Sequence, residues 1–488
     1  MIPHPALTVL IASPADDRTA IAATVEALVP RLGPDDLVLA ASARGFRVVA
    51  GSTGGPADGS ETGRPITPEP GRAVVLVNAG DLPEPDAVPR LREGLRAHPV
   101  VYADERLPDR AGLRQFARKP DWSPERLRGV DYLDGIWGFL QPETAGHAID
   151  PSDPAWAYDL ALRVTESAPA VEHLDEPLVY RPVVTVPDPE AWNARRAALQ
   201  RHLDRLGIRG EAQLGPAPGL LRTVRDAEGL GTVSIVIPTR GTAGTVHGRE
   251  SVLVVDAVRS VLRTTRLTEL EFVVVFDTST PQAVLDELRE VLAERLTLVE
   301  FTEPFNFSRK CNVGFLASRG EVVVMLNDDI EVTAPSFLDD LIAPLHQSDV
   351  GMTGAFLVFE DETIQHAGHW YSGRSPRHPM IGEPAVTDGS VVDLAIDREV
   401  SGLTAACVAV RREVYGEVGG FSEELPGNYN DADFSRKIGA RGYRLVWVHS
   451  AKAYHFESKT RDGSVHEWER ELLVRRWGSA LRDPLWPL

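Results

Sequence analysis

The chain has 488 residues, 43% of them hydrophobic and 25% charged, and a formal net charge of −20. That length suggests two to four domains with real cores. The charge argues against nucleic acid as a partner, since phosphate binding needs a basic footprint, and against loose adhesion to anionic lipid.

Two cysteines, Cys311 and Cys407, offer neither a disulfide framework nor metal-ligand spacing. No stretch has the length of a membrane-spanning helix, and the opening MIPHPALTVLIASP lacks a basic leader and a cleavage site. A cytoplasmic protein is expected, with a peripheral place at the inner face of the cell membrane and a homo-oligomeric state left open.

Residues 6–12 (ALTVLIA) read as a first strand, and 37–41 and 47–50 as further strands. Residues 51–71, rich in Gly, Pro, Ser and Thr, predict a mobile loop. Residues 73–77 (AVVLV) predict a buried strand that ends in Asn78, Ala79, Gly80 and Asp81, with a helix over 85–97. Residues 190–209 predict a helix, and 210–231 carry the Gly- and Pro-rich composition of a boundary. The expected domains are 1–189, a helical linker 190–230, and 231–488.

The second domain opens with the strand 233–237 (VSIVI), ending at Pro238, Thr239 and Arg240, then a polar loop over 241–250 and a helix over 251–264. Strands at 271–276 and 296–301 and helices at 281–293 and 308–318 lead to EVVVMLNDDIEV, residues 321–332. This alternation predicts an α/β fold with a mostly parallel sheet covered on both faces. The five apolar residues of 322–326 fit its buried strand. Ligands bind just past the carboxyl ends of such strands. Adjacent Asp328 and Asp329 there would repel each other unless a cation sat between them, and Mg²⁺ or Mn²⁺ takes carboxylate oxygens and shares them with phosphates. An Asn-Asp turn is the plain alternative.

The layout repeats with a domain-long period. DLALRV at 159–164 has the pattern of DFSRKI at 433–438, and His173 is expected where His455 stands in the second copy. Asp328 and Asp329 match Gly80 and Asp81, and Asp431 matches Ala157, so the first copy is expected to keep the fold without the chemistry.

VSIVIPTR (233–240), PFNFSRKCNVG (304–314), LNDDIEV (326–332), TIQHAGH (363–369), VAVRREVYGEVGGF (408–421), residues 430–443 and YHFES (454–458) together resemble the inverting family 2 glycosyltransferases. The likeness is to the branch that builds rhamnose-containing, O-antigen and cell-wall polysaccharides. VYADE (101–105) and KPDWSPERLRGVDYL (119–133) resemble the amino-terminal unit of its tandem members.

The resemblance implies two GT-A-like (Rossmann-like) domains in tandem, the first degenerate, together with a nucleotide-diphosphate sugar donor, a glycan or lipid-linked glycan acceptor, and Mn²⁺ or Mg²⁺. It places Asp329, Asp328 and His455 on the metal. Pro238, Thr239, Arg240, Asp277, Lys310, Asn312, Asn327 and Asp328 fall along the donor. His366, His369, Trp370, Thr404 and Asp433 fall along the donor sugar or acceptor.

Displacement at an anomeric carbon needs a base for the acceptor hydroxyl and a cation for the departing diphosphate. Asp431 is the expected base. In a helix over 430–440 it shares the side of Phe434 and Ile438, while Asp433 points roughly the opposite way. His366 and His369 have the spacing of one helix face, and with no HExxH-type signature they read as lining of the donor or acceptor site rather than as zinc ligands. A sugar nucleotidyltransferase would share the sheet and the metal but wants a lysine in the loop after the first strand, which 241–248 lacks. A non-catalytic carbohydrate-binding scaffold is the third reading, opposed by the intact acids of the second domain.

Overall fold

A computed structural model describes residues 6–13, 15–51, 61–62, 65–142, 147–372, 375–456 and 466–486. Of the expected 51–71 loop, 52–60, 63 and 64 lie outside the described residues, as do Glu457 and Ser458 of YHFES. The chain forms two compact units, one from residues 1–207 and 211–223, the other from 208–210 and 224–486.

In the first unit, strands β1 (Leu7–Ala12), β2 (Leu37–Ser42), β3 (Ala73–Asn78), β4 (Leu82–Pro83), β5 (Val100–Pro108), β6 (Ile136–Leu140) and β7 (Val171–Tyr180) lie in the order β2-β1-β3-β6-β5-β7-β4. The apolar runs of β1 and β3 pair in parallel and are buried, as strands covered on both faces require. Helices α1 (Arg18–Leu28), α2 (Ala87–Ala97) and α3 (Trp156–Ser167) flank them. The expected linker helix, α4 (Pro189–Leu206), is part of this unit. Its His202 and Arg205 bond Glu166 of α3, and its Arg201 bonds Asp159.

The second unit is built on β8 (Val233–Thr239), β9 (Leu270–Asp277), β10 (Leu296–Phe301), β11 (Val322–Leu326), β12 (Ile330–Val332), β13 (Val350–Val358), β14 (Cys407–Arg411) and β15 (Arg444–His455). The sheet order is β10-β9-β8-β11-β14-β13-β15-β12. The first four strands are parallel as expected. β14 then runs antiparallel between β11 and β13. Helices α5 (Leu253–Thr264), α6 (Gln282–Leu292) and α7 (Phe307–Ala317) cover the parallel half, and α8 (Asn430–Gly439) and α9 (Glu467–Trp477) come later in the chain.

Two local expectations change. Residues 241–250 are no open loop: Ala243–Val246 pairs with Arg249–Val252 across His247 and Gly248, both at positive φ, the backbone of a two-residue hairpin turn. The QHAGH stretch is no helix: Ile364–His366 is a strand beside β13, and Gly368 turns the chain at φ 86°.

Helix α7 lies close to the sheet because Gly314 has no side chain. A Cβ there would run into Val236 Cγ1 and meet Val275 Cγ2 at 3.0 Å, both buried. Overpacking of this kind costs about 1–3 kcal/mol. Gly314→Ala should lower the denaturant midpoint of the second unit accordingly, with an unchanged m-value.

Candidate active site

Just past β11 the backbone is clamped on both sides. Asn327 N–H donates to Ala406 O (2.9 Å) and Phe456 N–H to Asp329 O (3.0 Å), while Ile330 pairs with His455. Asp329 is thereby set against the last residue of β15. Its Oδ1 lies 3.2 Å from His455 Nε2. The sequence pattern places His455 beyond a short strand over 445–448. The strand instead runs on to His455 itself, through a register shift opposite Ala355 and Phe356.

The tautomer of His455 is set by its neighbours. Gln365 Nε2 donates to His455 O (3.3 Å), which turns Gln365 Oε1 toward His455 Nδ1 at 2.5 Å. An amide oxygen only accepts, so Nδ1 carries a proton, and in the neutral ring Nε2 is the nitrogen with the lone pair. Asn327 Nδ2 also donates toward Nε2 (3.3 Å). His455 Nε2 and the Asp329 carboxylate oxygen therefore face each other at 3.2 Å, a spacing that suits a shared proton or a cation held by both. Two ligands about 2.1 Å from one octahedral ion sit roughly 3 Å apart, so these atoms fit a divalent ion. The Gln365 hydrogen bond is the outer support that orients a metal-binding histidine.

Asp328 is buried and receives a hydrogen bond from Thr239 Oγ1 (2.7 Å). Burial, then the adjacent charge of Asp329, pushes its carboxyl up to about 7. Lys310, also buried, ties Thr239 O (3.0 Å) to Asp277 Oδ1 (2.7 Å), and Arg240 Nε approaches Asp277 Oδ2 at 3.4 Å. The ends of β8, β9 and α7 are thus held together by one ammonium group.

Asp431 stands in the first turn of α8. Tyr429 before it has φ 58°, a left-handed conformation unusual for a bulky residue, and such strain is held where surroundings over-determine it. The anchor is Glu469 of α9, itself 0% exposed, which accepts from Gly427 N (3.1 Å), Asn428 N (2.8 Å) and Asn428 Nδ2 (2.9 Å). No sequence pattern singles out Glu469. Asp433 does not point outward. It is 0% exposed and accepts from Trp477 Nε1 (2.9 Å) and Arg476 Nη1 (3.2 Å), so α9 covers the side of α8 that helical spacing marks as the outer one.

One cleft of about 350 Å³ gathers Pro238, Thr239, Arg240, Lys310, Asn327, Asp328, Asp329, His369, Thr404, Asp431 and His455. Phe305, Gln365, His378, Ile381 and Tyr429 also line it. Asp277, Asn312, His366, Trp370 and Asp433 do not. Asn312 instead knits α7 to the 415–423 turn through Phe421 and Tyr415. His366 lies behind the wall, its Nε2 accepting from Thr404 N–H (3.2 Å). Burial pushes His366 and His369 below the usual histidine range. His369 Nε2 is 3.8 Å from Asp431 Oδ2.

The first unit answers the same place differently. Leu82 pairs with Tyr180 as Ile330 pairs with His455, so Tyr180, not His173, is the counterpart of His455. His173 lies near the other end of β7, opposite Tyr102 and bonded to Asp104 (2.8 Å) and Asp121 (2.9 Å). After Tyr180 comes Arg181, whose guanidinium reaches Asp134 (2.7 Å), Glu105 (3.1 Å) and Asp81 (3.3 Å). Asp81 is pushed up to about 7 by burial, against the pull of Arg181. A fixed guanidinium lies among these acids.

Residues 234–419 match the model of the family described as Glycosyl transferase family 2. The chain is 32% identical over 412 residues to the uncharacterized protein y4gI of Sinorhizobium fredii, covering 80% of this chain and 44% of that one. It is 29% identical over 440 residues to the O-antigen biosynthesis protein RfbC of Myxococcus xanthus, covering 85% and 33%. It thus spans less than half the length of these curated relatives. Among solved structures, GalNAc-T7 with UDP, GalNAc and Mn²⁺ aligns over 54% of this chain and 50% of that one, with 17% identity and a TM-score of 0.43. The chain carries a family 2 glycosyltransferase domain. Among the described residues, no helix is long and apolar enough to cross a membrane.

Proposed function

We propose that residues 231–488 are a metal-dependent inverting glycosyltransferase. It moves a sugar from a nucleotide-diphosphate donor to a hydroxyl of a growing or lipid-linked glycan in cell-surface polysaccharide synthesis. Residues 1–189, with α4 packed on them, are a degenerate copy. The observation that carries this is the pair of metal-ligand atoms, Asp329 Oδ1 and His455 Nε2 at 3.2 Å, in the cleft that also holds Asp431. The O-antigen name of one relative supports the substrate class.

In this reading Asp329 and His455 hold a Mn²⁺ or Mg²⁺ ion, with Asp328 beside them. The ion, when bound, neutralises the charge that gathers on the departing diphosphate. Pro238, Thr239 and Arg240 lie along the nucleotide, and Lys310 keeps their strand end in place. Asp431 accepts the proton of the acceptor hydroxyl as its oxygen bonds the anomeric carbon, and the bond from that carbon to the diphosphate oxygen breaks with its electron pair leaving on the oxygen. Glu469 and Tyr429 fix the turn from which Asp431 reaches the acceptor.

A panel of nucleotide sugars tests the reading. One donor class should raise the melting temperature in Mn²⁺ and not in EDTA, and the same donor should support transfer. Stabilisation that is indifferent to the metal would contradict it.

A further inference from the structure

His366, His369 and His378 come together through the turn at Gly368 and the short hairpin that pairs Trp370 with Arg377. The three ring centroids stand 5.0, 5.0 and 4.9 Å apart, with planes 71–82° from one another. One ring nitrogen of each lies within 4.8 Å of those of the other two, and the Nδ1 atoms of His366 and His378 are 3.0 Å apart. A tetrahedral ion with Zn–N bonds of about 2.0–2.1 Å needs nitrogens roughly 3.3 Å apart, within reach of small side-chain rotations. A carboxylate stands at the edge: Asp431 Oδ2 is 3.8 Å from His369 Nε2. His366 and His369 are 1% and 4% exposed.

We infer that His366, His369 and His378 form a second cation site, for a borderline transition ion of the Zn²⁺ class, with the Asp431 carboxylate at its edge. It is separate from the place between Asp329 and His455. Its ligand set also differs, being three imidazoles where hard ions such as Mg²⁺ prefer oxygen. Selectivity has a further cause. Thr404 N–H occupies the Nε2 lone pair of His366, so the neutral ring carries its proton on Nδ1. Ligation through Nδ1 moves that proton to Nε2 and breaks the Thr404 bond. Only an ion with strong imidazole affinity offsets that loss. The functional consequence rests on the reading of Asp431 as base: a cation beside the Asp431 carboxylate lowers its basicity and slows transfer, so the site is an inhibitory switch.

Co²⁺ titration of the full chain, followed by visible absorption, tests the site without donor or turnover. One equivalent should give the intense d–d bands of a tetrahedral ion, in the presence of excess Mg²⁺ and in Asp329→Asn alike, and Zn²⁺ should displace it. His378→Gln should lose these bands. His378→Cys should keep them and add a thiolate-to-metal charge-transfer band, which a merely structural role for His378 would not produce. Absence of intense bands, or bands that survive His378→Gln and vanish in Asp329→Asn, overturns the site. In Mn²⁺-supported transfer, Zn²⁺ should inhibit the wild type at concentrations at least about tenfold lower than His378→Gln, each measured against its own zinc-free rate. Equal sensitivity with the Co²⁺ bands intact overturns the switch and leaves the binding result standing.

Discussion

Asp431→Asn should lower the rate of sugar transfer by roughly 10²–10⁴-fold, the usual worth of a positioned general base, while the affinity for donor in Mn²⁺ changes little. The substitution is nearly isosteric, and the amide oxygen can still accept the Ala432 N–H that Asp431 Oδ1 accepts at 2.7 Å. The start of α8 therefore stays in place, held from outside by Glu469 on the 427–428 backbone and by Trp477 and Arg476 on Asp433. What is lost is the capacity to take a proton. Single-turnover rates and calorimetric donor affinity, measured on the same preparations, separate the two effects. Wild-type rates in the variant would remove Asp431 from the mechanism.

Asp329→Asn should act earlier. With an amide in place of the carboxylate, the charge that opposes His455 Nε2 is gone and a hard ion loses its best ligand. Metal-dependent stabilisation by donor should vanish, and transfer should fall on the order of 10³-fold, the rate equivalent of about 4 kcal/mol of leaving-group stabilisation. Stability without metal should move the other way. Asp328 is buried beside Asp329 and bears its charge. A raised carboxyl costs the fold more as pH rises from its ordinary range near 4 toward about 7, so relief of the like charge should raise the melting temperature in EDTA at pH 8. A variant that keeps the Mn²⁺ response of the wild type would contradict the placement of the ion.

Much of the second unit was legible because its signals are local. Five apolar residues ending in Asn327, Asp328 and Asp329 mark a buried strand and its polar carboxyl end, and the alternation of strands and helices predicts the parallel half of the sheet. Asp329, Asp431 and His455, the last named only through the family resemblance, line one cleft. Harder to read were contacts set by later parts of the chain. Helical spacing says which residues of α8 share a side, but not that α9 would cover the other side and bury Asp433. HSAKAYH hides the continuation of β15 to His455 because its buried alternate positions are Ala451, Ala453 and His455, too small or too polar to show a period-2 apolar pattern. QHAGH has the spacing of a helix face, yet Gly368 at positive φ turns it into a strand and a corner. The hairpin that returns His378 to His366 and His369 has no local signature that names its neighbours. In the first unit, His173 resembles His455 by order along the chain, and only strand register shows that Tyr180 and Arg181 stand at that place.

The most direct test of the central claim is the anomalous scattering of Mn²⁺ in crystals of the protein grown with a nucleoside diphosphate. A peak is expected between Asp329 Oδ1 and His455 Nε2, in the cleft that Asp431 lines. A cleft with no peak there, or with manganese found only at the three histidines, would contradict it.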